Sequence, residues 1–208
     1  MNALPSRLLI VTDRHQARRP LDDIVSESIE AGARWFWLRD RDMDRDERRS
    51  LAHRLAEIAH RAGGRLSIGG DAELAAEVGT GAVHVRSAAD AETARRRLGA
   101  SVLVGVSAHS LADAIDAQTA GADYVTLSPI FATASKPGYG PALGLEALRQ
   151  AAKAGIPVVA LGGMDEGNGG AAREAGAAGI AVMGRVMRAD DPADVVGALL
   201  ALCSRSCR

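Results

Sequence analysis

Hydroxyl and cationic side chains gather in the loop Ser128–Gly140, which reads SPIFATASKPGYG and follows the apolar run Tyr124–Leu127. Thr133, Ser135 and Lys136 offer two hydroxyl donors and one ammonium group within a short stretch of this loop. Hydroxyls, neighbouring backbone amides and a cation suit a phosphate or a diphosphate. Loops of this composition are also common on ordinary protein surfaces, where they are only solvated, so the loop alone identifies no ligand.

Two arginines earlier in the chain are candidates for the same anion. Arg39 and Arg41 lie at the end of the run Arg34–Asp40, which reads RWFWLRD. Arg39 is expected to point into a site, whereas Arg41 either joins it or forms a surface salt bridge with a neighbouring aspartate. Trp37 lies two residues before Arg39 and so on the same face of the strand. It forms either a flat wall for an aromatic ring or part of the packed interior.

Glycines end two later apolar runs and indicate a phosphate site. Gly162 and Gly163 close one run, and Gly184 closes the last. Glycine lets backbone N–H groups approach an anion, and a helix that follows adds the positive end of its dipole. The alternative is that these glycines only turn the chain.

Ser107 and His109 end another apolar run, and a histidine in that position could take part in proton transfer. A structural role for His109 is equally consistent with the sequence, with Ser110 as the predicted N-cap of the following helix. His84 lies inside an apolar run and is expected to pack or to form hydrogen bonds within the fold.

Eight β-rich runs alternate with eight segments of helical composition, and several runs are continuously apolar, as in parallel strands covered on both faces. The runs are Arg7–Asp13, Arg34–Asp40, Arg65–Gly69, Ala82–Arg86, Val102–Ser107, Tyr124–Phe131, Pro157–Gly162 and Gly179–Gly184. The helical segments are Leu21–Ala31, Asp44–Ala62, Ala72–Val78, Asp90–Leu98, Leu111–Ala120, Leu143–Ala154, Gly167–Ala175 and Asp191–Cys203. A recurring Ala-Gly-Ala, at 31–33, 120–122 and 175–177, is expected to end three of the helices.

This alternation predicts an α/β fold of the (β/α)8 TIM-barrel class, with residues 1–208 as one domain and the last few residues as a solvated tail. An open doubly wound sheet is the alternative, but the chain has no early G-x-G-x-x-G fingerprint for a dinucleotide. A TIM barrel places its active site at the C-terminal ends of its strands. The candidate residues above all follow such ends.

Composition and charge argue against several classes of partner. The formal net charge is −1, which favours neither nucleic acid nor an anionic membrane surface. No apolar run approaches the roughly 20 residues that cross a bilayer, and no secretory signal is recognisable, so a cytoplasmic protein is expected. Cys203 and Cys207 are predicted to be reduced thiols in the solvated tail. A homo-oligomer is compatible with the sequence.

Several segments, in a fixed order along the chain, carry a resemblance to a known family. They are LLIVTD (core 9–13), WLRDR (37–41), AVHV (82–85), GVSAHS (105–110), GADYVTLSPIFATASKP (121–137), VVALGGM (158–164), Asn168 and AGAAGIAVMG (175–184). On these segments the chain resembles the thiamine-phosphate synthase family, with its thiazole-tautomerase-like relatives, as a divergent member. The resemblance implies a thiamine-biosynthesis barrel that binds thiazole phosphate and aminopyrimidine diphosphate with Mg²⁺. In the synthase it implies a transferase that joins the two substrates and releases diphosphate.

The resemblance also implies roles for individual residues. Arg39 and Arg41 stand at the arginine and lysine of the family's Gln-x-Arg-x-Lys motif, with Trp37 in place of the glutamine. Ser107 matches the serine of a Gly-Val-Ser-x-His block. The implied catalytic residues are Arg39, Ser107 and Lys136, and the implied substrate- and phosphate-binding residues are Arg41, Trp37, Thr133, Ser135, Gly162, Gly163 and Gly184, the last of which replaces a serine.

The sequence departs from the family at the implied metal site. Gly69 and Gly70 align with an Asn-Asp pair, and Ala89 aligns with the second metal-binding aspartate. Asp71 and Asp90 each lie one residue further on and are displaced candidates for metal ligands. Mg²⁺ requires oxygen ligands in near-octahedral order, so the departures predict a weak metal site.

Three functions remain open, and a synthase with a degenerate metal site is the leading hypothesis. The second is a tautomerase-like isomerase in which His109 carries the proton, because Pro129 occupies the position of that branch's histidine. The third is a non-catalytic barrel that binds thiazole phosphate or thiamine phosphate.

Overall fold

The computed structural model describes residues 2–133 and 141–204. In this part of the chain eight parallel strands form a closed barrel in which each strand pairs with the next and β8 pairs with β1. The strands are β1 Leu8–Val11, β2 Trp35–Leu38, β3 Arg65–Gly69, β4 Ala82–Val85, β5 Leu103–Ala108, β6 Tyr124–Leu127, β7 Val158–Leu161 and β8 Gly179–Val182. The predicted (β/α)8 TIM barrel is confirmed.

Helices follow every strand and surround the barrel. They are α1 Leu21–Glu30, α2 Arg45–Arg61, α3 Ala72–Val78, α4 Ala88–Leu98, α5 Leu111–Thr119, α6 Gly144–Ala151, α7 Gly169–Glu174, α8 Gly184–Met187 and α9 Pro192–Ser204. Their ends follow the sequence rules: the Ser110 side chain accepts a hydrogen bond from the amide of Asp113, as its N-cap assignment predicts. Gly32, Gly121 and Gly176 adopt φ values of 105°, 81° and 99°, so the recurring Ala-Gly-Ala does end three helices in the left-handed conformation.

The apolar residues form two separate layers. The larger layer lies between the strands and the helices and consists mainly of aliphatic side chains and alanine. The smaller layer fills the barrel interior and is lined by Leu9, Val11, Trp35, Trp37, Ala82, Leu103, Tyr124, Val159 and Ala181. Three large aromatic side chains therefore lie inside the barrel, where Trp35 and Tyr124 meet edge to face with ring centroids 4.8 Å apart.

Three details differ from the sequence-based expectation. The short helix α8 begins at Gly184 and was not predicted, and β6 ends at Leu127 rather than continuing to Phe131. Cys203 is only 3% exposed, so the prediction of a solvated thiol is wrong at this position, because α9 continues through it and buries it. Cys207 lies outside the described residues. No described helix is long and apolar enough to span a bilayer.

Glycine at position 105 leaves room for the aromatic interior. A Cβ atom at Gly105 would lie 2.1 Å from Cζ of Tyr124, a separation that real atoms do not reach. We predict that Gly105→Ala lowers the free energy of unfolding by about 1–3 kcal/mol or more, because a buried ring cannot yield within a closed barrel.

Gly197→Ala is the matched control for this measurement. Gly197 lies on α9 with no atom within 4 Å of an added Cβ, so its replacement should be neutral or should stabilise by up to about 1 kcal/mol. Urea unfolding of both variants tests the prediction. Equal stability of the two variants would contradict it.

Candidate active site at the barrel mouth

A cavity of about 570 Å³ opens at the C-terminal ends of the strands. It brings together most of the residues that the sequence singled out. The lining includes Trp37, Arg39, Arg41, Ser107, His109, Thr133, Gly162, Gly163 and Gly184. Ser135 and Lys136 lie outside the described residues, and the cavity lining does not include Asp71 or Asp90. The strand-end rule therefore places one site at the mouth of the barrel.

The turn after β7 requires glycine at two consecutive positions. Gly162 and Gly163 have φ values of 95° and 64°, and a Cβ on Gly163 would lie 2.4 Å from the carbonyl oxygen of Ala132. Asn168 holds the turn, since its side-chain amide donates to the Gly163 carbonyl at 2.7 Å. Within residues 2–133 and 141–204 no acceptor is seen for the Gly163 amide N–H. The turn is thus a fixed backbone surface whose Gly163 N–H has no acceptor among the described residues.

Next to this turn, β8 ends at Val182, and α8 begins two residues later at Gly184. Within the described residues no acceptor is seen for the amides of Gly184 and Arg185, whereas those of Val186 and Met187 donate to the Met183 carbonyl. Arg185 lines the same part of the cavity and forms a two-pronged ion pair with Glu166, at 2.7 and 2.9 Å. The β7–β8 side of the mouth therefore offers backbone donors and a guanidinium that is already neutralised.

At the β1–β2 side of the cavity mouth, buried carboxylates accept hydrogen bonds from the loop backbone and from one guanidinium. Asp40 is 3% exposed and accepts hydrogen bonds from the Thr12 hydroxyl at 2.5 Å and from the Arg14 amide at 2.7 Å. Arg39 donates to Asp13 at 2.8 Å, and its own amide donates to the Thr12 hydroxyl at 3.1 Å. These contacts fix where Arg39 leaves the strand.

Trp37 belongs to the barrel interior as well as to the cavity lining. Its side chain is 4% exposed and its ring lies against His84, with ring centroids 3.8 Å apart. A Cβ at Gly69 would lie 2.8 Å from the indole nitrogen of Trp37. The large indole at position 37 therefore fits because position 69 carries no side chain.

A buried hydrogen-bond chain lies beneath the cavity floor and is centred on His84. Its Nδ1 lies 2.9 Å from the Tyr124 hydroxyl, and its Nε2 lies 3.1 Å from the Ser107 hydroxyl and 3.3 Å from that of Thr126. Complete burial, and next the positive charge of Arg41, lower the pKa of His84 to about 3. The imidazole is neutral at pH 7, and the expectation that it bonds within the fold is confirmed.

One arrangement of donors and acceptors satisfies every hydrogen bond in this chain. The indole of Trp35 can only donate, and it donates to the Ser67 hydroxyl at 3.2 Å. In this arrangement the Ser67 hydroxyl donates to that of Tyr124, whose pKa is raised by burial. Tyr124 then donates to Nδ1 of His84, which leaves the proton on Nε2. Ser107 accepts from Nε2, and its own proton is free to point into the cavity.

Comparisons with known proteins show the family of this chain. The family model described as thiamine monophosphate synthase matches residues 8–186. The chain belongs to the thiamine monophosphate synthase family. A putative thiamine-phosphate synthase from Geobacter sulfurreducens is 37% identical over 198 residues, which cover 94% of this chain and 93% of the relative. A thiamine-phosphate synthase from a Roseiflexus species is 36% identical over 196 residues, covering 93% of this chain and 83% of the relative.

Solved structures give the same result. The thiamine phosphate pyrophosphorylase from Pyrococcus furiosus superposes with a TM-score of 0.84 at 26% identity and covers 95% of both chains. A 3-hexulose-6-phosphate synthase, with a TM-score of 0.72 at 20% identity, shares the fold.

Members of the thiamine monophosphate synthase family generally depend on Mg²⁺, but the carboxylates of this chain do not fit a metal site. The structure shows no group of three or more His, Cys, Asp or Glu side chains that could hold a metal ion in residues 2–133 and 141–204. Of the displaced candidates, Asp71 accepts from the Leu74 amide at 2.9 Å as the N-cap of α3 and pairs with Arg48 at 3.4 Å. Asp90 lies in the first turn of α4, with its amide bonded to Ser87.

The carboxylates that line the cavity already form ion pairs or hydrogen bonds with other groups of the protein. Asp40 is occupied as described above, and Asp42 pairs with Arg14 at 2.8 Å and His15 at 2.7 Å, which holds its pKa well below the usual range. One carboxylate oxygen of Asp165 accepts the amides of Gly167 and Asn168. An ion with near-octahedral demands would have to displace these partners.

Reasoning from the sequence assigned no role to several residues of the site. Arg86 follows β4 and lines the cavity, yet a single arginine after a strand carries no specific signal. Asn168 was visible only as part of a matching segment. His84 could be noticed in the sequence as a polar residue within a continuously apolar strand. Its hydrogen-bond partners became evident only from the barrel register, which pairs it with Gly105.

The pKa of His84 predicts a pH dependence of stability. The unfolded histidine has a pKa near 6.5 and the folded one about 3, so between these values the unfolded chain binds the extra proton. Stability should therefore fall as the pH drops from about 6.5 towards 3, by at most about 1.4 kcal/mol per pH unit from this residue. His84→Gln should remove this component.

Urea unfolding at a series of pH values between 7 and 4 measures the difference between wild type and His84→Gln. His53→Gln, which replaces an exposed histidine on α2, serves as the control. Parallel stability curves for wild type and His84→Gln would show that His84 is not held neutral.

Proposed function

We propose that this protein is a thiamine-phosphate synthase that joins an aminopyrimidine diphosphate to thiazole phosphate and releases diphosphate. One observation carries the proposal within the family: two regions suited to anions face each other across a single cavity. One is the glycine backbone after β7 and β8, and the other is the group of arginines after β2 and β4. In a closed barrel of eight strands these regions lie two to four strands apart, so two phosphorylated substrates can enter one cavity.

The proposed reaction requires no general base, and the buried histidine at the centre of the site does not titrate near pH 7. The bond between the pyrimidine methylene carbon and the diphosphate oxygen breaks, and its electron pair leaves with the diphosphate. The thiazole nitrogen then uses its lone pair to form the new carbon–nitrogen bond, and no proton has to be removed. A neutral His84 that directs the Ser107 hydroxyl supplies a fixed dipole in such a site.

The two substrates are assigned to the two sides of the cavity. Thiazole phosphate is placed on the backbone donors of Gly163 and Gly184, because a fixed turn of glycines allows the closest approach of an anion. The diphosphate is placed near Arg39 and Arg41. Thr133 lines the cavity on the same loop as Ser135 and Lys136, whose part in holding the diphosphate remains a proposal from the sequence.

Trp37 is proposed to form an apolar wall of the pyrimidine site. One side of its ring is committed to His84, so it cannot stack on both faces. Its contribution to binding is therefore expected to be the apolar ring edge and not a hydrogen bond of the kind that a glutamine would make.

A second candidate function is isomerisation of a carboxylated thiazole phosphate, and one observation favours it. His109 lies in the cavity lining beside Pro129, with its Nδ1 bonded to the Ser128 carbonyl at 2.7 Å. A histidine in this position could carry a proton. Proton exchange into the thiazole substrate without any pyrimidine substrate would identify this activity, whereas stabilisation by thiazole phosphate with neither activity would identify a binding protein.

The direct test is product formation by the purified full-length chain with both substrates. We expect thiamine phosphate and diphosphate in equal amounts, and we expect Ser107→Ala to lower kcat by roughly 10²-fold, because it removes a preorganised donor. Thr93→Ala removes an exposed hydroxyl on α4, away from the cavity, and should leave the rate unchanged. Absence of product at high enzyme concentration would overturn the proposal, and full activity of Ser107→Ala would remove the role of this serine.

A further inference from the structure

Two arginines at the cavity mouth have no protein partner in the described part of the chain. Arg41 follows β2 and Arg86 follows β4, so they lie on the two strands that flank β3. Both line the cavity, and neither forms a hydrogen bond or an ion pair within residues 2–133 and 141–204. The other cavity arginines differ in this respect, since Arg39 pairs with Asp13 and Arg185 with Glu166.

The backbone after β3 makes room for the guanidinium of Arg41. Gly70 has a φ of 66°, and a Cβ built on it would lie 2.8 Å from Cζ and Nε of Arg41. A carboxylate side chain at position 70 would therefore have to displace this guanidinium. The positive charge occupies the space at the end of β3 where a side chain would otherwise project.

Burial and neighbouring positive charges both act on the guanidinium of Arg41. Partial burial lowers the pKa of Arg41, followed by the positive charges of Arg86, Arg48 and Arg39. Asp90 opposes this shift, but it is the last of the causes and forms no ion pair with Arg41. Cations that are held together without counter-ions gain stability when an anion of high charge binds between them.

We propose that Arg41 and Arg86 form an anion site that holds a diphosphate without a divalent cation. This inference rests on the proposed function for the identity of the ligand and names how its diphosphate is bound. A guanidinium presents five N–H donors in a planar fork that matches phosphate oxygens, and it remains charged at any physiological pH. Two such groups supply charge neutralisation that a metal would otherwise supply, at the end of the barrel where the carboxylates for a metal do not converge.

Binding of inorganic diphosphate by the full-length chain tests the proposal directly. Titration calorimetry in EDTA should show binding, and excess Mg²⁺ should change the affinity by less than about threefold. Arg41→Gln and Arg86→Gln should each weaken binding in EDTA by about tenfold or more, as expected for the loss of a charge-assisted hydrogen bond. Arg97→Gln, which removes an exposed arginine paired with Glu73, should bind like wild type.

The possible results separate this site from the proposed function. Binding in EDTA that both variants weaken, with no thiamine phosphate formed, would keep the anion site and overturn the synthase. Product formation together with diphosphate binding that strictly requires Mg²⁺ would keep the synthase and overturn the site. Wild-type affinity in both Arg41→Gln and Arg86→Gln would also overturn it, and thermal melting of each variant confirms that it is folded.

Discussion

The mutual repulsion of guanidinium groups at the barrel mouth is the constraint on which the rest of the site depends. Arg39 and Arg41 follow β2 and Arg86 follows β4, all three line one cavity, and of these only Arg39 has a carboxylate partner in the described residues. The surrounding acids do not relieve this charge, because Asp40 is occupied by Thr12 and by the Arg14 amide. A site with this imbalance is built to bind an anion, and a phosphorylated substrate with a charged leaving group meets that requirement.

Beneath these cations a buried chain of hydrogen bonds crosses the barrel interior. The chain from Trp35 through Ser67, Tyr124 and His84 delivers hydrogen bonds towards Ser107 at the cavity floor. The burial that lowers the pKa of His84 also keeps this chain unprotonated beside the arginines. Because His84 is neutral, it adds no buried positive charge beneath the arginines at the mouth. The unusual Trp37 completes this interior by covering one face of the imidazole.

The alternation of eight strand and helix segments was sufficient to predict the barrel, because each unit carries its own periodicity and turn signals. The strand-end rule then located the cavity, since it depends on topology and not on side-chain detail. Arg86 could not be assigned from the sequence, because its importance lies in its closeness to Arg41 across β3 and in its having no ion pair or hydrogen bond among the described residues. Asp71 could have been recognised as a helix N-cap, and that competing role explains why a carboxylate next to the family's metal position does not face the cavity. Cys203 was predicted as the last residue of the terminal helix, but its burial depends on how α9 packs against the rest of the barrel, which the sequence did not indicate.

The most direct test of this account is a crystal structure of the full chain with thiazole phosphate, aminopyrimidine diphosphate and Mg²⁺ present together. We expect the single phosphate on the backbone of Gly163 and Gly184, and the diphosphate on Arg41 and Arg86 with no metal ion bridging it to Asp71 or Asp90. A diphosphate held by a magnesium ion on those aspartates, with Arg41 and Arg86 turned away, would contradict it.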